Sequence, residues 1–144
     1  MALQAKEIYV NLPVKDLEKS VDFFTKLGFS FHPEMTDEKA TCMIVGQNIY
    51  VMLLTEPFFK TFTRKELADA TKNTEVIVAI SADSRQEVND VVNKALEAGG
   101  TASNDPMDNE YMYLWSFQDL DGHLWEVMAM PENDETNDLD KSST

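Results

Sequence analysis

The sequence predicts an α+β fold in which one βαβββ unit is written twice, its curved mixed sheets enclosing a cavity. Three observations predict it. Two amphipathic stripes, near 16–27 and 84–98, each follow a short apolar strand. Each stripe runs into glycine, at Leu27-Gly28 and at Gly99-Gly100, and more extended segments come after it. The halves also align: Val10–Asp16 matches Ile77–Asp83, and Gly46 matches Gly122 ahead of each half's last strand.

The first strand is Ile8–Val14. Asp16 caps the helix that follows, Leu17, Val21, Phe23, Phe24 and Leu27 form its apolar stripe, and Gly28 stops it. Three extended segments come next, Phe29–Pro33, Ala40–Val45 and Asn48–Thr55, with Gly46-Gln47 as a tight turn between the last two. Thr63-Arg64-Lys65-Glu66 has capping-box spacing and predicts a short helix to about Ala70, with Phe58, Phe59 and Phe62 as an apolar plug before it. A strand over Glu75–Ser81 opens the second half. Ser84-Arg85-Gln86-Glu87 is again a capping box, and Val88, Val91, Val92, Ala95 and Leu96 mark one buried helical face. Short extended residues at Thr101–Ser103 and strands Tyr113–Gln118 and His123–Met130 complete the unit, with Asp121-Gly122 as the last turn.

One domain over 1–131 is expected, built from repeats at about 5–56 and 74–130. Residues 132–144 carry five acids against Lys141, with Leu139 as their one large apolar side chain, so a disordered acidic tail is expected. The chain has 26 acidic and 12 basic residues, a formal charge of −14. That balance argues against nucleic acid or an anionic membrane as partner, because both need clustered Lys and Arg. The longest apolar run, Ile49–Leu54, is far short of a membrane span, and no apolar leader opens the sequence. Cys42 is the single cysteine, which excludes an internal disulfide and suits a buried thiol in a cytoplasmic protein.

Val14-Lys15-Asp16-Leu17-Glu18-Lys19-Ser20-Val21-Asp22-Phe23-Phe24, then Leu27-Gly28-Phe29, resembles the N-terminal signature of the vicinal oxygen chelate superfamily. That superfamily includes glyoxalase I, bleomycin-resistance proteins and extradiol dioxygenases. Asp119-Leu120-Asp121-Gly122-His123-Leu124-Trp125-Glu126 resembles its C-terminal signature. The resemblance implies a small-molecule cavity, a homodimer and, in metal-dependent members, ligands from the first and last strands of each half. It places Glu126 and Glu75 at two metal positions, and Glu126 as the candidate catalytic carboxylate. The other two positions fall at Tyr9 and within Asn48–Thr55, where Tyr50, Met52 and Leu53 are the candidates. None of these is a usual ligand, so no occupied cofactor site is expected.

Tyr9 and Asn11 share one face of the first strand by its period of two. With Tyr50, Tyr113 and Trp115 they form the candidate ligand-binding set. Ordinary packing between paired sheets is the competing explanation for the same residues. The expected function is a superfamily protein with a small-molecule cavity and no assigned reaction. The alternative is a lyase or isomerase of the glyoxalase type, or a dioxygenase, dependent on zinc, nickel, iron or manganese.

Overall fold

The computed structural model of the protein describes residues 2–131; the expected acidic tail lies outside them. Two compact units divide between Asp69 and Ala70.

In the first unit β1 (Ile8–Val14) leads into α1 (Leu17–Leu27), followed by β2 (Ser30–His32), β3 (Ala40–Gly46) and β4 (Ile49–Thr55). The strands form one mixed sheet in the order β1-β4-β3-β2. The β1/β4 pair is parallel and the others are antiparallel. The Asp16 carboxylate accepts from the Lys19 N–H at 3.1 Å, and Gly28 ends the helix at φ +111°. Phe23, Phe24 and Leu27 are buried, as the stripe predicts, and α1 packs on β4.

The second unit repeats the plan. It contains β5 (Ile77–Ser81), α3 (Arg85–Glu97), β6 (Thr101–Ala102), β7 (Met107–Asp108), β8 (Tyr113–Gln118) and β9 (Leu124–Ala129). The sheet order is β5-β9-β8-β6, with β7 also on β8, and β5/β9 is the parallel pair. Ser84 caps α3 through the Glu87 N–H, and the Glu87 carboxylate returns a bond to the Asp83 N–H at 2.7 Å. Val88, Val92 and Ala95 are fully buried against β8 and β9.

Several expectations change. No helix forms over 63–70. The Thr63 hydroxyl accepts from the Lys65 N–H, a local turn that competes with helix capping. That segment also has no fully buried side chain to hold a helical face. The short helix is instead α2 (Glu56–Lys60), opened by Pro57 in its first turn. Phe58 and Phe59 are half-buried on α2, which packs on β1 and β4, while Phe62 is 69% exposed. The second strand shortens because Pro33 opens a 3₁₀ turn over Pro33–Met35. The strand expected from Glu75 begins at Ile77, and β7 was not foreseen.

The β8–β9 connection is organised by one buried carboxylate. Asp119, 5% exposed, accepts the Asp121 and His123 N–H groups on Oδ1 and the Trp125 indole N–H on Oδ2, each at 3.0 Å. Burial raises its pKa, against the lowering influence of His123 and of these donors. A native carboxyl with a raised pKa binds its proton more readily than the unfolded one. This group's contribution to stability therefore grows as pH falls through the native value. Gly122 sits at φ +88°, and a Cβ there would stand 2.9 Å from the Ala70 carbonyl oxygen. Left-handed geometry and close backbone approach both require glycine.

Two outcomes are expected from urea unfolding at neutral pH. Asp119→Ala strands two buried donors and one part-buried donor and should lose about 2–4 kcal/mol. Gly122→Ala should lose roughly 1–2 kcal/mol from backbone geometry alone, and more from the contact with Ala70. A loss below about 0.5 kcal/mol in either variant would contradict this account of the turn.

Candidate functional site

In each unit one sheet face is covered by its helix and the other is more open. In the first unit the covered face holds Leu12, Val14, Met43, Val51 and Leu53, all buried. The open face holds Tyr9 and Asn11 from β1, Tyr50 and Met52 from β4, Cys42 from β3 and His32 from β2. The register Tyr9↔Tyr50, Asn11↔Met52, Cys42↔Met52 and His32↔Cys42 places them side by side.

Tyr9 and Tyr50 stack with ring centroids 5.0 Å apart and planes 19° from parallel. The His32 ring lies 5.6 Å from Tyr50, tilted by 44°. Tyr9 is 42% exposed, and its hydroxyl donates to Glu7 Oε1 at 3.0 Å. That hydrogen bond is the main reason its pKa stands above the ordinary phenol value. Asn11 is exposed and lies two residues along the same strand face as Tyr9. His32 is a residue of this face that sequence reasoning misses. Its strand is only three residues long, and no pattern that short reveals which face its side chains share with β4.

In the second unit the open face holds Glu126, flanked across the strands by Ala79 and Ser116. The Ser116 hydroxyl accepts from the Asn104 N–H at 3.1 Å. The Glu126 carboxylate has no ion-pair partner among the described residues. Tyr113 and Trp115 do not share this face. They pair with Ala129 and Val127, which places them on the side covered by α3, and the Tyr113 hydroxyl donates to Asn89 of α3 at 2.6 Å. The five-residue connection after Gln118 sets this register and so puts 113 and 115 opposite 126.

Glu75 stands in an exposed bend before β5. The residue seven before cap Ser84 is Ile77, as Tyr9 is seven before cap Asp16. By the same spacing Asn11 corresponds to Ala79, so Met52, the neighbour of Asn11, corresponds to Glu126, the neighbour of Ala79. The corresponding strand positions are thus Tyr9, Met52, Ile77 and Glu126. Neither the phenol and thioether of the first unit nor the alkyl chain and carboxylate of the second fit a zinc, iron or manganese ion, which takes several imidazole or carboxylate donors. No three His, Cys, Asp or Glu side chains come together in a metal-ligating group among the described residues.

Cys42 is fully buried, and burial raises its thiol pKa, which keeps it protonated and unreactive. Iodoacetamide at pH 8 should leave Cys42 unmodified in the native protein and alkylate it in urea. Rapid native alkylation, followed by mass spectrometry, would contradict the placement. Glu126→Gln should change the thermal midpoint by less than about 2 °C, because the side chain is half-exposed and unpaired.

A family model described as bleomycin resistance protein-like N-terminal matches residues 7–46. No curated protein matches the chain. Among solved structures, the hypothetical protein SA1046 from S. aureus is 32% identical, covering 88% of this chain and 95% of its own, with a TM-score of 0.74. A glyoxalase/bleomycin resistance protein/dioxygenase family enzyme from Burkholderia phytofirmans is 15% identical, covering 85% and 97%, with a TM-score of 0.71. The fosfomycin resistance protein FosX from Listeria monocytogenes, complexed with Mn(II) and sulfate, is 17% identical over 90% and 93%, with a TM-score of 0.66. The last two similarities are of fold. The repeated βαβββ plan is the fold of these glyoxalase, bleomycin resistance and dioxygenase relatives, and the family-model match over 7–46 coincides with the N-terminal signature that resembles the vicinal oxygen chelate superfamily.

Proposed function

We propose that this protein binds a small planar organic molecule on the open sheet face of its first unit, without a metal ion. The observation that carries the reading is the stacked Tyr9–Tyr50 pair with His32 beside it, where a metal-dependent relative would need hard donors. An aromatic ligand stacked there gains roughly 0.5–1.5 kcal/mol per ring contact beyond the area it buries. The Tyr9 hydroxyl and the Asn11 amide would orient its polar edge, and Met52 supplies an adaptable apolar contact. The net charge of −14 favours ligands carrying positive charge through long-range attraction. Binding of this kind sequesters a compound without transforming it.

The same reading has the protein act as a cytoplasmic homodimer. Exposed apolar side chains on the strands, Ile8, Ile49 and Ile77, support a second copy as partner. The lone buried thiol suits a reducing compartment. A second reading, a metal-dependent lyase, isomerase or dioxygenase, draws support from Glu126 alone, the one carboxylate on the open face of the second unit.

Equilibrium dialysis of the full-length protein against ethidium and against catechol tests the proposal, with circular dichroism as the control for folding. Saturable binding is expected in the presence of EDTA. Tyr9→Ala and Tyr50→Ala should each weaken it about threefold to tenfold, the equivalent of one ring contact. Glu126→Gln should leave it unchanged. Binding that needs added metal, or that ignores both tyrosine substitutions, would refute the reading.

A further inference from the structure

The second unit carries a separate pocket of about 340 Å³, on the side of the sheet that faces α3. Its size falls within the range of small-ligand pockets. Arg85, Asp108, Glu110, Met112, Tyr113 and Met130 contribute to its walls.

The pocket is held open by interactions that do not involve a ligand. The Arg85 guanidinium lies over the Tyr113 ring, 4.5 Å from its centroid, and forms an ion pair with Asp108. Tyr113 is fixed in turn by its bond to Asn89. The rim at 109–112 closes on itself. The Asn109 carboxamide oxygen accepts the Tyr111 and Met112 N–H groups at 2.8 and 3.1 Å, and the Asn109 N–H donates to the Met112 carbonyl at 3.1 Å. Two thioethers, one aromatic ring, the Ala129 methyl and the Pro131 ring supply the apolar surface.

The charges in the pocket do not cancel. Asp108 is neutralised by Arg85, whereas Glu110 has no cationic partner among the described residues. One negative charge therefore stands beside an adaptable apolar wall. An anionic guest would meet Glu110 unscreened and would have to displace Asp108 from Arg85. A cationic guest meets no such penalty.

We propose that this pocket is a second small-molecule site, selective for compact amphiphilic amines: an apolar or aromatic body bearing one ammonium group, which pairs with Glu110. It is independent of the aromatic face of the first unit, because no residue of one contributes to the other.

The test is methyl NMR on full-length protein labelled at Met and Ala, titrated with 2-phenylethylamine and, in parallel, with 3-phenylpropionate. The amine should shift the Met112, Met130 and Ala129 methyls saturably and leave Met52 unchanged. Glu110→Gln should weaken the amine threefold to tenfold, and Met130→Ala should weaken it several-fold. Both side chains are exposed, so neither change threatens folding. Tyr50→Ala should have no effect, which separates failure here from failure of the planar-ligand reading. No saturable shift at millimolar amine, equal binding of the carboxylate, or unchanged affinity in Glu110→Gln would each overturn the proposal.

Discussion

Strand alternation combined with helix cover is the constraint on which the rest depends. Each unit lays its first strand parallel to its last and packs its helix on one face of the resulting sheet. Side chains two residues apart then share a face, and neighbours in sequence are separated by the thickness of the sheet. The covered face must be apolar: Leu53 and Val51 meet this demand in the first unit, Trp125 and Val127 in the second. The chemistry available to a ligand is confined to whatever the alternate positions hold. In the second unit Asp119 secures the register by tying the β8–β9 connection to the Trp125 indole, which stacks on Phe117. A slip of one residue there would bury Glu126 under α3 and expose Trp125.

This geometry decides which side chains of the repeated plan a ligand can meet. Met52 and Glu126 hold corresponding positions in the two units, as do Tyr9 and Ile77. A soft thioether and an alkyl chain contribute little to a hard divalent ion. In the first unit the two positions, Tyr9 and Met52, supply a ring and a polarizable thioether suited to organic matter. The stacked Tyr9–Tyr50 pair and the tilted His32 make that face of the first unit aromatic, and the Tyr9 hydroxyl is already engaged by Glu7.

The duplicated plan was legible because it was written in strong local signals: caps at Asp16 and Ser84, the stripe from Val88 to Ala95, and glycines at helix ends and turns. Two strand-face assignments were not legible. Tyr113 and Trp115 could be placed relative to Glu126 only by knowing that Gln118 pairs with Leu124, a matter of tertiary register. His32 joined the aromatic face through two intermediate pairings, each invisible in a three-residue strand. Glu75 lies two residues before Ile77, the position seven before the Ser84 cap, and outside the strand that forms. The capping-box spacing at Thr63 misled for a different reason: the box needs an apolar face behind it, and 63–70 has none.

The central claim is that the open face of the first unit binds aromatic matter and that neither open face holds a metal ion. Titration of the EDTA-treated, then desalted, full-length protein with Mn(II), followed by electron paramagnetic resonance of the free ion, tests it most directly. A single half-exposed carboxylate predicts no stoichiometric binding at micromolar Mn(II), and identical titrations for wild type and Glu126→Gln. One tightly bound Mn(II) per chain, lost in Glu126→Gln, would contradict the account.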